Sequence, residues 1–311
     1  MQEEGMEDSQ GVTKQQPRVY TIVLNYNNFS DTVETLQSVL MLAYTNNQIL
    51  LVENSTKKEI PERIRQLFPD IEIIENEKNL GYAGGNNVGI RYAMKQGAEY
   101  IFVINNDISI QPDVLEKLVF AMESDLTAAA CQPLVTYYDD KDKIWSAGSQ
   151  LFLGYPRLYC KGKRKHGKGT KKPPFGLVGC ALLFRAQSLQ EIGLFDESLF
   201  LLQEETDWCM RAIKKGFCLL VVCEAVVHHK VSVTLGCFSK EYLYYIARNW
   251  LLVGKRHSDR RGYTYILLTE LFTRIPYYLY KLARKKQITM MKYYYYGLMD
   301  GLHGISGVRD F

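Results

Sequence analysis

The sequence has no run of eighteen apolar residues free of charge, so no membrane-spanning helix is predicted. Its first sixteen residues, MQEEGMEDSQGVTKQQ, are polar and lack the apolar core of a secretory signal. They read as a disordered tail, nothing in them directs export, and the expected location is the cytosol. Seven cysteines are present (Cys131, Cys160, Cys180, Cys209, Cys218, Cys223 and Cys237), and no two have CxxC spacing. An odd set without that spacing argues against a disulfide framework and against a zinc site, so the thiols are expected to be reduced and mostly buried. No internal repeat is visible.

What is present is enough for a large α/β domain with an appendage: 311 residues, 47% hydrophobic and 12% aromatic. The net charge of +4 is unevenly spread. From Lys240 onward 13 Lys/Arg face 5 Asp/Glu, which leaves the rest of the chain acidic. The expected division is a tail at 1–16, a sheet domain at 17–236 and a basic, tyrosine-rich helical region at 237–311.

RVYTIVLN (18–25) is apolar and β-branched without alternation, as in a parallel strand covered on both faces. Asp31 with Glu34 resembles a capping box, and Val33, Leu36, Val39 and Leu40 recur at helical spacing. Strands follow at 48–53, 71–75 and 100–104, with helices at 61–68 and 86–96, the latter closed by Gly97. This alternation predicts a mostly parallel sheet whose ligands sit beyond the strands' carboxyl ends. The loops there are polar: Asn25-Tyr26-Asn27, Glu53-Asn54-Ser55 and Asn105-Asn106-Asp107. Residues 160–174, CKGKRKHGKGTKKPP, are basic and aperiodic and predict a mobile loop splitting the domain. A strand at 176–186, a short helix closed by Gly193, a helix with Trp208, Ala212 and Ile213 on one face, and a strand at 218–222 before His228-His229 complete the reading.

The segment NLGYAGGNNVGIRYA (79–93) sets four glycines around a helix start. It is either a tight turn where backbone meets backbone or room for a nucleotide beside free helix N–H groups. One carboxylate among amides, at Asn105-Asn106-Asp107, suits a divalent ion (Mg2+ or Mn2+) that takes its other ligands from a diphosphate and water; a turn without a ligand uses the same residue types. Glu204, Glu205 and Asp207 crowd a helix start. The helix dipole accounts for one or two of them, and mutual repulsion suits another to act as a general base. Arg211 pairs with Asp207 by spacing, which leaves Glu205 as the base candidate.

The order VLNYN, VENS, NLGYAGGNNVGI, INND, GCALLFRA, GLFDESLF, QEETDWCMR and AVVHHKVS resembles the inverting family-two glycosyltransferases of the GT-A fold, in particular bacterial rhamnosyltransferase-like members. The likeness spans Val19 to Ser232, and YLYYIARNWLL in the tail is similar too. The resemblance implies that Asn25 and Glu53 line a base and ribose pocket, with Asn79, Gly81 and Asn87 nearby and Asn27 and Asn106 in the same donor set. INND stands where the family has DxD. With Asn105 replacing the first carboxylate, Asp107 is left for the metal. Glu204-Glu205 matches the pair that holds the base, its second member Glu rather than Asp, which leaves Asp207 open. The His-Lys pattern aligns His229 with the metal-binding histidine, and a slip of one residue would select His228.

The implied reaction moves a sugar, deoxythymidine-diphosphate rhamnose being the subgroup donor and uridine-diphosphate hexoses the second choice, to a hydroxyl of a glycan or lipid-linked glycan. The alternative from another class is a nucleotide-sugar-binding or scaffold protein that has lost catalysis. No nucleic acid partner is expected from the basic loop alone. Leu267, Leu268, Leu271, Phe272 and Ile275 recur at helical spacing before Lys281, Arg284, Lys285 and Lys286. That suits a helix on the inner, anionic face of a cell membrane, or a face packed on the sheet domain or a second copy of the chain.

Overall fold

A computed structural model of the chain describes residues 16–55, 57–164, 167–231 and 238–311. Nearly all of the expected tail, His166, Cys237 and the boundary at 236/237 lie outside the described residues.

Strands β1 (Val19–Asn25), β2 (Asn47–Glu53), β3 (Glu72–Glu75) and β4 (Tyr100–Asn105) pair in parallel, joined by helices α1 (Phe29–Leu40), α2 (Glu59–Leu67) and α3 (Gly81–Lys95). After β5 (Ile108–Ile110) and α4 (Val114–Ser124), the sheet grows through β6 (Ala128–Tyr137). Then β7 (Ile144–Ser146), a hairpin of β8 (Ser149–Phe152) and β9 (Tyr155–Leu158), and β10 (Thr170–Lys171) lead to β11 (Ala181–Arg185). Helices α5 (Ala186–Ile192) and α6 (Glu204–Lys214) precede β12 (Cys218–His229). The strand order is β10-β12-β6-β11-β4-β1-β2-β3. Antiparallel β11 fits between β4 and β6, and β12 returns parallel to β6.

The unbroken apolar strands are explained by cover on both faces. Val19 and Val23 of β1 with Phe102 and Ile104 of β4 face one core, which α1, α2 and α4 close with Leu36, Val39, Ile64 and Leu118. Tyr20, Ile22, Ile101 and Val103 face a second core, closed by Ala83, Ile90, Leu189 and Trp208. Each large side chain so buried contributes roughly 1.5–3 kcal/mol.

Several expectations are corrected. Helix α3 starts at Gly81, five residues before the predicted start, because its glycines let it lie close on the sheet: a Cβ at Gly85 would meet Leu24 at 2.6 Å and one at Gly89 would meet Ile22 at 2.8 Å. The Asp31–Glu34 pair is no capping box. Asn28 is the N-cap, and both carboxylates instead hold Lys230 Nζ, each at 2.6 Å. The strand predicted over 176–186 is confined to β11, and Ile213, placed on the buried face of α6, is 48% exposed. Strand β12 does not stop at Val222 but passes a bulge before Val226 and carries both histidines at its end. The basic loop does not split the sheet, since Thr170 and Lys171 pair with Val222 and Val221 on its edge. The six described cysteines are free, and four are buried.

The tail folds as α7 (Lys240–His257), α8 (Arg260–Thr269), a π-helical turn at Glu270–Arg274, α9 (Ile275–Arg284) and α10 (Met291–His303). Leu199 of the sheet domain shares a cluster with Trp250, Leu251 and Val253 of α7, while Leu243, Ala247, Tyr278, Leu282 and Tyr294 form another. Helices α7 and α10 cross almost in backbone contact, for a Cβ at Gly297 would lie 2.2 Å from Tyr244 O and one at Gly301 would lie 2.8 Å from Arg248 O. Gly297→Ala should therefore force these helices apart and cost about 1–3 kcal/mol in urea unfolding, although alanine is the better helix former. An unchanged or raised unfolding midpoint would refute the close crossing.

Candidate active site

Register sets the first part of the site. Asn25 lies opposite Glu53, and Leu24 lies opposite Asn105, so the ends of β1, β2 and β4 form one row. Asn25 is fully buried and bonded at both ends: its Nδ2 donates to Glu53 Oε2 (2.6 Å), while its Oδ1 accepts from Thr32 Oγ1 and Asn106 Nδ2, both at 2.9 Å. Glu53 also accepts from Ser55 N at 2.9 Å, and burial raises its pKa. Asn25, Glu53 and Asn106 are thus a rigid floor. Tyr26 and Asn27, the latter at φ 56°, are the exposed residues above it.

Asn79 and Asn87 are engaged as well. Asn79 Oδ1 accepts from Asn54 Nδ2 (3.0 Å) and Gly81 N (2.8 Å), and Asn54, a hub that the sequence reading passed over, also donates to Gly81 O at 2.9 Å. Asn87 Nδ2 donates to Phe195 O (2.9 Å) and Glu197 Oε1 (3.0 Å), which ties α3 to the loop before α6. Gly81 has φ +72°, and a Cβ there would lie 2.3 Å from Phe200 O. For these residues the close-packing reading of the glycine segment accounts for every contact.

The second part comes from β12 pairing with β5, which sets His229 beside Ile108 and so against Asp107. His229 Nε2 and Asp107 Oδ1 are 3.1 Å apart, both buried, yet Oδ1 has no hydrogen-bond partner; neither have Asn105 Oδ1 and His229 Nδ1. A carboxylate oxygen without a well-formed hydrogen bond and an imidazole nitrogen that converge in this way suit a common cation. Among the described residues no cluster of three or more His, Cys, Asp or Glu can hold a metal, so further ligands would come from substrate and water. His228 is used differently, with Nδ1 2.7 Å from Thr136 Oγ1 and Nε2 3.3 Å from Gln111 Nε2. Trp145 meets the His229 ring edge to face at 4.6 Å, and Lys230 N donates to Asp107 O at 3.1 Å. Lys230 was legible from its place after His229; Trp145 and Thr32 carried no signal.

The third part is the start of α6. Glu204 is buried with Oε2 unpartnered, and burial followed by the neighbouring Glu205 pushes its pKa far up. Glu205 is half-buried, and the surrounding protein atoms push its carboxyl up to about 7. Asp207 differs. Burial would raise it, but His257 Nε2 at 2.8 Å from Oδ1 and Arg211 Nε donating at 2.8 Å to Oδ2 outweigh this and hold it below the usual range. A carboxylate so neutralised is a poor proton acceptor. Gly179 and Cys180 bridge the parts. Cys180 O accepts from Asn105 N (2.9 Å), Gly179 O accepts from Tyr82 OH, and the Cys180 thiol feels both Asp107 and Glu205.

Residues 20–193 match the family model of glycosyl transferase family 2. The dTDP-rhamnosyl transferase RfbF of Shigella flexneri is 24% identical over 307 residues, 93% of this chain and 97% of that protein. The N-acetylglucosaminyl-diphospho-decaprenol L-rhamnosyltransferase of Mycobacterium tuberculosis is 24% identical over 231 residues, 68% of this chain and 75% of its own. Among solved structures, GalNAc-T7 with UDP, GalNAc and Mn2+ is similar with TM-score 0.61 and 15% identity, over 81% of this chain and 54% of that chain. The mannosyltransferase PcManGT of Pyrobaculum calidifontis, in complex with GDP-Man and Mn2+, gives TM-score 0.57 and 14% identity over 93% of this chain and 88% of its own. Those structures share the GT-A fold that the resemblance implied. Since the family match runs through more than half of the chain and over Asn25, Glu53 and the β4–β5 turn that carries Asp107, the protein belongs to glycosyl transferase family 2 and is a glycosyltransferase.

Proposed function

We propose that the enzyme transfers its sugar with inversion in one displacement, with Glu205 as the general base and Asp107 and His229 as the ligands of a divalent ion, Mg2+ or Mn2+. The observation that carries this reading is the approach of two buried ligand atoms, Asp107 Oδ1 and His229 Nε2, to 3.1 Å, with a half-open carboxylate of raised pKa across the Gly179–Cys180 segment. When bound, the ion neutralises the diphosphate leaving group. The buried Asn25–Glu53–Asn106 floor keeps the strand ends fixed beneath the nucleotide. Lys230, anchored on Asp31 and Glu34, holds the end of β12 so that the imidazole stays against Asp107. Glu205 takes the proton of the acceptor hydroxyl as its oxygen attacks the anomeric carbon opposite the phosphate. Asp207 orients α6 through Arg211 and His257 and stays ionised. Deoxythymidine-diphosphate rhamnose is the first donor to test, on the strength of the named relatives, and uridine-diphosphate hexoses follow; the proposed acceptor is a glycan on a membrane lipid.

Glu205→Gln should bind dTDP and Mn2+ as the wild type does and lose about 100- to 10,000-fold in turnover. Asp107→Ala and His229→Ala should instead weaken metal-dependent dTDP binding by at least about tenfold. Calorimetry with and without Mn2+, alongside transfer assayed by mass spectrometry over a panel of nucleotide sugars, separates the roles. Wild-type turnover in Glu205→Gln, or its abolition only in Asp207→Asn, removes Glu205 from the role of base.

The raised carboxyl gives a sign for pH. A base must be ionised, so kcat/KM should rise with pH and level off above about 7. Because the folded state favours the protonated form, Glu205 opposes stability as pH rises through its pKa. Glu205→Gln should therefore unfold at a higher temperature than wild type at pH 8 and at the same temperature at pH 4. A kcat/KM profile that is flat from pH 5 to 9 would contradict the assignment.

The lipid acceptor draws support from the tail. Leu268, Leu271 and Phe272 are exposed, Phe272 by 70%, and Arg284, at the end of α9, is exposed with Lys285 and Lys286 in the turn that follows. Leu267 and Ile275, expected on the same face, are half-buried because Leu267 packs on the cluster of Leu199, Trp250 and Leu251 and Ile275 on that of Leu243, Tyr278 and Tyr294. No helix among the described residues is long and apolar enough to cross a membrane. The patch suits the surface of an anionic leaflet, each nearby cation contributing on the order of 1 kcal/mol. Liposomes rich in phosphatidylglycerol should sediment the protein at low salt and release it at high salt. Replacing the four cations at 281, 284, 285 and 286 by Gln should abolish binding. Salt-independent binding, or none, excludes the electrostatic anchor and favours a second copy of the chain on this face.

A further inference from the structure

The segment that delivers Glu205 has an unusual backbone. Phe200 has φ 65° and ψ −57°, and Leu201 N donates to Leu199 O at 2.8 Å, which makes Phe200 the centre of a γ-turn with positive φ, a rare and strained turn. Leu202 (φ 68°) and Gln203 (φ 74°) also lie in the positive region, and none of the three is glycine. Such backbone persists only where its surroundings over-determine it. The next residue is Glu204, the first of α6.

Two elements grip the turn. From α3, Ala83 N donates to Phe200 O at 3.3 Å, and Gly81 leaves the space that this carbonyl fills. From α7, Asn249 Nδ2 reaches the oxygens of Leu199 (2.9 Å), Leu201 (2.8 Å) and Leu202 (2.7 Å), its Oδ1 accepting from Arg248 Nε at 2.8 Å. Arg248 Nη2 adds a bond to Leu199 O at 2.9 Å. Asn249 and Arg248 are both fully buried. One amide thus fixes the carbonyls on either side of the γ-turn and of the residue after it.

We infer that Asn249 is a positioning residue for transfer: from the C-terminal helix it holds the strained Leu199–Leu202 turn in the one shape that aims Glu205 at the acceptor hydroxyl. The inference rests on the reading of Glu205 as the base. It makes the C-terminal helices part of the catalytic apparatus and not solely a surface appendage. The competing role for Asn249 is to glue α7 to the sheet domain, and that role lowers turnover and dTDP affinity only together, through loss of folded protein.

Asn249→Asp keeps the shape and the bond from Arg248 Nε but sets an oxygen against three carbonyls, and Asn249→Ala removes both. Full-length variants are compared with wild type in turnover, dTDP–Mn2+ affinity, the acid limb of kcat/KM, and hydrogen exchange over 199–210. A misaimed base should lower kcat about a hundredfold with dTDP–Mn2+ affinity unchanged within about twofold. Residues 199–210 should also exchange faster. The acid limb should move down, because a released turn rehydrates Glu205, which faces Glu204 on its own helix, Tyr82 of α3, Tyr155 of β9, and the Cys180 and Cys209 thiols. Parallel loss of turnover and dTDP affinity with an unmoved limb would overturn the inference in favour of simple glue, and unchanged kcat with an unmoved limb would overturn it outright. Wild-type turnover in Glu205→Gln would instead sink the base assignment, while faster exchange in the Asn249 variants would still report the grip.

Discussion

The parallel register of β1, β2 and β4 is the constraint on which the remaining geometry hangs. With Asn25 opposite Glu53 and Leu24 opposite Asn105, three polar loops emerge at one height, and Asn25, Glu53 and Asn106 bond to one another beneath them. A slip of one residue in any of these strands would turn its core side chains to the wrong face and break that floor, so packing and site geometry enforce the same register. The cost of burying Asn25, Glu53 and Asn106 is offset because they bond to one another.

Upon this floor, charge is handled in two opposite ways within one turn of α6. Asp207 is surrounded by Arg211 and His257 and kept ionised, whereas Glu204 and Glu205 have no cation among the described residues to offset their burial and are pushed toward the protonated form. The helix dipole favours negative charge at all three positions, and its contribution of up to about 2 kcal/mol does not overcome the desolvation of the two glutamates. This asymmetry gives neighbouring carboxylates different chemistry.

The approach to α6 stores backbone strain of about 1–3 kcal/mol for each of Phe200, Leu202 and Gln203. The hydrogen bonds from Arg248 and Asn249, together with the close approach at Gly81, offset it. A helix far along the chain therefore determines how a site built on the sheet is presented. The crossing of α7 and α10 at Gly297 and Gly301 keeps that helix in place.

Much of this was legible in the residues themselves. The β-branched runs located β1, β2 and β4, because burial on both faces leaves no alternation, and the alternation with helices implied their parallel pairing. The Asp207–Arg211 pairing followed from helical spacing alone and already pointed away from Asp207 as a base. Tertiary structure decided the rest, where the partner is distant in sequence. Asp31 and Glu34 read as a cap until Lys230 arrived from the end of β12; His228 and His229 were interchangeable until the β5–β12 register turned one toward Asp107. The glycines of α3 read equally as close packing or as room for a ligand, and the fold brings Gly85 and Gly89 close on β1 and β2. The role of Asn249 left no local trace, because its three acceptors are backbone carbonyls, present in every residue and arranged only by the fold. Sequence specifies which groups must be buried and with what period, but long-range pairing alone determines which polar atoms meet, since each pairing depends on register set elsewhere in the chain.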